Sequence, residues 1–157
     1  MSTVKESYLS LGTLRRWLLV AAAGVTIFGI FHHVDHVVRG NHSGWPFQEA
    51  VTPFTFSLLI YALLLPGLYL TMQGRLMAGY WLFTAIAALA LVISVHFVGA
   101  EREAPTRDIY AVYDNPALGF LAVADLTMLI VSLAVLAVIA LQALRFARRS
   151  RQNPSAP

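Results

Sequence analysis

Residues 117–144 read ALGFLAVADLTMLIVSLAVLAVIALQAL, an apolar run in which Asp125 is the only charged residue. A helix needs about 20 predominantly apolar residues to cross the hydrocarbon core of a bilayer, and this run is longer. Three other segments meet the same criterion. The sequence therefore predicts an all-α integral membrane protein, a four-helix transmembrane bundle with helices over residues 14–38, 54–72, 76–98 and 117–144.

The composition agrees with lipid as the solvent. Apolar residues make up 58% of the chain and charged residues 12%, whereas soluble proteins average roughly 45–50% and about 25%. The chain contains no cysteine, which excludes disulfides, cysteine-ligated zinc, iron–sulfur clusters and a thiol nucleophile.

Arg15-Arg16 before an apolar run resembles a secretory signal. That run leads into Phe31 and His32 without a small-residue cleavage site, so a retained helix is favoured.

Positively charged residues are divided unequally between the two sides of the predicted bundle. Three of them flank one side, namely Arg39, Arg102 and Arg107. The other side carries Lys5, Arg15, Arg16, Arg75, Arg145, Arg148, Arg149 and Arg151. Because cytoplasmic loops are rich in Lys and Arg, both termini are predicted to be cytoplasmic, the N-in/C-in orientation.

The domain boundaries and the cellular location are predicted with this orientation in mind. Residues 1–147 are predicted to form one transmembrane domain, and residues 148–157 a disordered cytoplasmic tail. The short loops favour a multi-pass protein of a prokaryotic plasma membrane, with membrane lipids as its partners.

Candidate functional residues lie at the outer end of the first predicted helix, where residues 31–39 read FHHVDHVVR. His32 and His36 are four residues apart and therefore share a helical face. Asp35 flanks that face, three residues from His32. His33 points about 100° away from His32 and is expected to lie at the membrane interface.

Two more ionisable residues are predicted at the same depth. His96 lies near the outer end of the third helix, and Asp125 lies within the outer part of the fourth. Ionisable groups inside a membrane are costly and usually functional. We therefore expect one cluster in the outer third of the bilayer, formed by His32, His36, His96, Asp35 and Asp125.

The first interpretation of this cluster is a metal site. His32, His36 and His96, with Asp35 or Asp125, would supply three nitrogens and one oxygen, a set that suits Zn²⁺, or Fe or Cu with an open position. The remaining carboxylate would orient a ligand or act as a base, so both acids are candidate catalytic residues. The chemistry would be oxidation or hydrolysis of a lipid-soluble substrate, although enzyme activity is left open.

Two alternatives come from other functional classes. In the first, haem b is bound between His96 and either His36 or His32 as axial ligands. The protein would then be a haem-bearing or cofactor-free accessory subunit of a respiratory or oxygenase complex, with other membrane subunits as partners. In the second, the chain is a metal or proton transport element in which Asp125 relays protons.

A purely structural interpretation also fits the cluster. Asp35 and Arg39 are four residues apart and can form an ion pair. Asp125 can hydrogen-bond across the bundle, a contact worth roughly 1 kcal/mol in a membrane.

Residues 40–46 are expected to form a compact turn that could cover the cluster. The outer polar residues are expected to be solvated; they are His42, Glu49, Glu101, Glu103, Asp108 and Asp114.

Several functional classes are excluded. The chain has no nucleophile elbow, phosphate-binding loop or dinucleotide fingerprint. No lysine lies in a predicted transmembrane segment, so a retinal Schiff base cannot form. Basic patches interleaved with aromatic residues are missing as well, and no nucleic-acid partner is expected.

Overall fold

The computed structural model describes residues 2–39, 57–99 and 102–152, and in the described part of the chain there is no β-strand. The described residues form four α-helices: α1 (Ser2–Val38), α2 (Ile60–Met72), α3 (Ala78–Phe97) and α4 (Pro116–Gln152). A π-helical turn, Pro105–Ile109, and a 3-10 turn, Tyr110–Val112, connect α3 to α4. The predicted all-α class is confirmed.

Three of these helices are long and apolar enough to cross a membrane, over Leu11–Val38, Ala78–Phe97 and Pro116–Ser150. The second helix, α2, is also apolar but has 13 residues, fewer than a full span requires. Its predicted start at residue 54 lies outside the described residues. The last helix continues to Gln152, beyond the domain boundary predicted at residue 147. Residues 153–157 of the predicted tail are not described.

Large apolar side chains cover the outside of the helices, as expected for a surface that meets lipid. Val38, Phe83 and Phe120 are each about two-thirds exposed, at 67%, 65% and 66%. A soluble protein rarely leaves so many large apolar side chains in contact with water. The chain therefore has the character of a membrane protein.

The interior lies between the helices, because α1 and α3 each pack against both α2 and α4. Small residues let the helices approach closely, and larger ones fill the space between them. The main buried cluster includes Leu18, Ala22 and Val25 of α1, Leu64 of α2, Trp81 and Ala85 of α3, and Leu133, Leu136 and Ala140 of α4.

The packing of α2 against α3 depends on Gly67. A β-carbon at Gly67 would lie 2.6 Å from the Tyr80 ring and 2.8 Å from the Trp81 ring, so only glycine fits. The Trp81 indole N–H donates a hydrogen bond to the Thr71 hydroxyl at 2.9 Å. These contacts set the position of α3, whose last turn carries His96.

Candidate metal centre

Three histidines from two helices meet at one end of the molecule. His32 and His36 lie one turn apart on α1, and His96 lies in the last turn of α3. All three are buried, with exposed fractions of 5%, 5% and 1%. The structure thus brings together the three imidazoles that the sequence analysis proposed as ligands.

The imidazole nitrogens converge at a spacing that suits a metal ion. His32 Nε2 lies 3.2 Å from His36 Nε2 and 3.2 Å from His96 Nε2. The ligand atoms of all three lie within 4.8 Å of one another. Metal–nitrogen bonds of about 2.0–2.1 Å at tetrahedral angles place neighbouring nitrogens roughly 3.3–3.4 Å apart. The geometry therefore fits three histidine ligands with a fourth position left over.

Hydrogen bonding alone does not account for this arrangement. A neutral imidazole nitrogen carries either one proton or one lone pair. His32 Nε2 faces two other Nε2 atoms, so one of these contacts lacks a well-formed hydrogen bond in any choice of tautomers. A cation among the three lone pairs would satisfy every one of these nitrogens.

His96 has the backbone partner that metal-binding histidines usually have. Its Nδ1 lies 3.1 Å from the carbonyl oxygen of Glu103, so Nδ1–H donates and Nε2 keeps its lone pair for a metal. Such a bond fixes both the tautomer and the ring orientation. The Nδ1 atom of His32 is buried and has no comparable partner among the described residues.

Glu103 belongs to this site, although its position in the sequence predicts a place on the solvated outer rim. That expectation was wrong, because Glu103 is only 2% exposed. Its carboxylate forms an ion pair with Arg39. Its Oε2 atom lies 3.7 Å from His36 Nε2 and 3.7 Å from His96 Nδ1. Nothing in the periodicity of the chain marks Glu103, because it lies in a connection between helices.

Asp35 has other partners. Its Oδ2 accepts a hydrogen bond from Arg39 Nε at 2.7 Å, and its Oδ1 accepts one from the Tyr113 hydroxyl at 2.6 Å. Both oxygens are therefore engaged, and Asp35 lies outside the group of three histidines. This placement agrees with the structural interpretation of Asp35 as the partner of Arg39, and its use as a metal ligand or catalytic residue stays a prediction.

Asp125 also lies outside the group of histidines. It is on α4, partly buried, and its Oδ2 atom has no hydrogen-bond partner among the described residues. A role for Asp125 as a ligand, a base or a proton relay stays a prediction.

The buried charges beside the histidines leave a net negative balance. Arg39 carries one positive charge, and Asp35 and Glu103 carry one negative charge each, which sums to −1 when the imidazoles are neutral. Burial by itself would lower the pKa of the Arg39 guanidinium, but the hydrogen bonds and ion pairs with Glu103 and Asp35 raise it above its ordinary value. Uncompensated buried charge is costly, so a cation at the histidines would stabilise the region.

His33 is not part of this group of three, as its angular position predicted. Its Nε2 lies 2.8 Å from the Ser57 hydroxyl, and its Nδ1 lies 2.9 Å from the Tyr61 hydroxyl. These contacts join α1 to the start of α2. His33 therefore offers a matched control, since it is a neighbouring histidine with a different set of partners.

A partly open cleft with a cavity volume of about 70 Å³ is lined at one end by the histidines. Apart from His32, His33, His36, His96 and Ser57, its described walls are apolar, with residues such as Val25, Leu64, Ala88, Val92 and Leu133. Val25 and His32 both line the cleft and are seven positions apart on α1, which corresponds to a length of roughly 10 Å along the helix. The mostly apolar lining with few polar groups resembles that of small-molecule binding sites.

The connection between α3 and α4 covers the outer side of the site. Arg39 Nη1 donates to the carbonyl oxygen of Asp108 at 3.0 Å, and Ile109 is fully buried. Burial and the hydrogen bond to Asp35 raise the pKa of the Tyr113 phenol to about 12, so it remains a donor at neutral pH. The cover that the sequence analysis assigned to residues 40–46 lies outside the described residues, as do His42, Glu49 and Glu101.

The fold and the site together define a helical protein of membrane type with a tris-histidine group able to hold a metal ion. Comparisons with protein-family models, with curated proteins and with solved structures find no match for this chain. Function must therefore be inferred from the site itself.

Proposed function

We propose that this protein is an integral membrane metalloprotein that binds one transition metal ion, Zn²⁺, Fe or Cu, through His32, His36 and His96. The four helices form a transmembrane bundle with both termini in the cytoplasm, and the metal lies near the extracytoplasmic face of a plasma membrane. The observation that carries this proposal is the convergence of three buried Nε2 atoms with two contacts of 3.2 Å. The net negative charge beside them supports it.

The proposed chemistry is oxidation or hydrolysis of a lipid-soluble substrate. Three histidine ligands leave one coordination position available, where a bound metal supplies Lewis acidity or redox chemistry. The cleft beside the histidines supports the substrate class, because its described walls are mostly apolar and would favour an apolar chain over a polar one.

The geometry disfavours haem b with His32 and His96 as its two axial ligands. Two axial imidazoles on one iron stand on opposite faces of the macrocycle, with nitrogens about 4 Å apart if each bond is roughly 2 Å. His32 and His96 approach to 3.2 Å, with their ring planes inclined at 69°. That arrangement leaves no gap for a porphyrin between them.

Metal analysis of the detergent-purified protein tests the proposed site. We expect about one equivalent of transition metal in the wild type after reconstitution, and loss of it in His32→Ala and in His96→Ala. His33→Ala is the matched control and should retain the metal, because its ring contacts Ser57 and Tyr61 instead. Circular dichroism and gel filtration check that each variant is folded. A wild type that takes up no stoichiometric metal, or equal loss in all three variants, would contradict the proposal.

Filling the cleft tests the substrate class. Ile60 lines the cleft, is partly buried, and lies on α2, which carries none of the three histidines, so Ile60→Trp should shorten the space for an apolar chain. Displacing two methylene groups costs about 1.6 kcal/mol, which predicts at least about tenfold weaker binding of a decyl hydroxamate. Metal content and the affinity for acetohydroxamate, which has no long chain, should not change. Equal weakening of both hydroxamates, or of neither, would refute the assignment of the cleft.

A further inference from the structure

We propose that Glu103 is a positioning residue of the metal centre. Its backbone and its carboxylate orient His96, its carboxylate faces His36, and its charge offsets that of a bound divalent cation. This inference rests on the proposed function, because it concerns the same site. It adds a residue that lies outside the transmembrane helices and that no ligand pattern in the sequence contains.

The first observation is the unusual state of the carboxylate. Glu103 is 2% exposed, and Oε1 forms the ion pair with Arg39. The other oxygen, Oε2, is buried and has no hydrogen-bond partner among the described residues. A buried carboxylate oxygen without a donor is unfavourable, so its position requires an explanation. A cation held by the neighbouring histidines supplies one.

The second observation is how firmly the residue is held. The Glu103 N–H donates to the carbonyl oxygen of Val95 at 2.9 Å, and the Glu103 carbonyl accepts from His96 Nδ1 at 3.1 Å. Arg39 holds the carboxylate from the outer side. With backbone and side chain both restrained, Oε2 is kept 3.7 Å from His36 Nε2 and from His96 Nδ1.

These distances describe a residue that acts through the ligands and is not a ligand itself. The group of atoms within 4.8 Å of one another contains the three histidines and not Glu103. The carboxylate approaches His96 on its Nδ1 side, opposite the nitrogen that faces the other imidazoles. Partners in this position fix ligand orientation and increase ligand basicity, and removing one typically weakens metal binding about 10–100-fold.

The test compares Glu103→Gln with Asp114→Asn in the full-length, detergent-purified protein. Both variants remove one negative charge from the connection between α3 and α4, but Asp114 is exposed. Zn²⁺ affinity is measured by competition with a chelator, and Co²⁺ is used as a spectroscopic probe of ligand geometry. We expect about 10–100-fold weaker Zn²⁺ binding and an altered Co²⁺ spectrum for Glu103→Gln, with wild-type behaviour for Asp114→Asn.

Glu103→Asp keeps the test decisive if the glutamine variant does not fold. It retains the charge for Arg39 but withdraws the carboxylate by one methylene group, so weaker binding and a changed Co²⁺ spectrum are again expected. If the wild type binds no metal, the proposed function itself is wrong. If the wild type binds metal and every folded Glu103 variant matches it in affinity and spectrum, this inference is overturned and the three-histidine site stands.

Discussion

Replacing Arg39 with methionine is expected to destabilise the protein by about 3–5 kcal/mol, because it leaves buried negative charge without its counter-ion. Arg39 is 4% exposed. It pairs with Glu103 and Asp35 and donates to the carbonyl of Asp108. Methionine keeps much of the side-chain length and apolar stem, so the expected loss comes chiefly from charge and hydrogen bonding.

Arg107→Met provides the contrast. The Arg107 side chain is 68% exposed, and its ion pair with Asp108 at 2.7 Å lies at the surface, where such pairs contribute about 0–1 kcal/mol. Unfolding in mild detergent, followed by circular dichroism, should separate the two variants clearly. Adding Glu103→Gln to Arg39→Met should recover part of the lost stability, since one unpaired carboxylate is removed. If Arg39→Met and Arg107→Met were equally stable, the ion pairs of Arg39 with Glu103 and Asp35 would not behave as buried ion pairs.

Gly119→Ala should disturb the cover of the site from a position far from any ligand. A β-carbon at Gly119 would lie 2.6 Å from the carbonyl oxygen of Tyr110 and 3.1 Å from its ring. Because the obstacle is backbone, the 3-10 turn must move away from α4. Such overpacking typically costs about 1–3 kcal/mol. The displaced turn follows the segment that carries Glu103, so we also expect weaker Zn²⁺ binding.

The same substitution at Gly79 is the matched control. A β-carbon there meets nothing within 4 Å, and Gly79 lies in the first turn of α3. Alanine at an unstrained helical position should be neutral or stabilising by about 0.4–1 kcal/mol. The comparison uses denaturant unfolding for stability and chelator competition for Zn²⁺ affinity. If Gly119→Ala behaved like Gly79→Ala in both measurements, the close packing of Tyr110 on α4 would be disproved.

Together these expectations make the candidate metal centre dependent on residues outside the long apolar helices. The two histidines of α1 share a face whatever the connections do, but Glu103, Arg39 and Tyr113 meet only when the connection between α3 and α4 folds back. A change in that connection should therefore alter the centre even if the helices stay packed. Metal affinity and the stability of the packed helices should therefore be separable properties.

The helices and part of the site could be predicted from the sequence alone because they depend on local patterns. A run of about 20 apolar residues is sufficient to mark a candidate membrane-spanning helix, and the runs near residues 14–38, 76–98 and 117–144 form helices long and apolar enough to cross a membrane. A spacing of four placed His32 and His36 on one face, and the same rule paired Asp35 with Arg39. His33 points about 100° away from His32, and this angle separates it from the group of three histidines.

Tertiary structure alone decided which carboxylates accompany the histidines. Asp35 and Asp125 were chosen from the sequence because they lie in apolar helices at the expected depth, yet Tyr113 and Arg39 occupy the oxygens of Asp35. Glu103 lies in the connection between α3 and α4, and that connection has no periodic sequence pattern from which its path could be predicted. The burial of a charged residue outside a helix depends on long-range ion pairs and on the route of the chain, and neither leaves a local trace in the sequence.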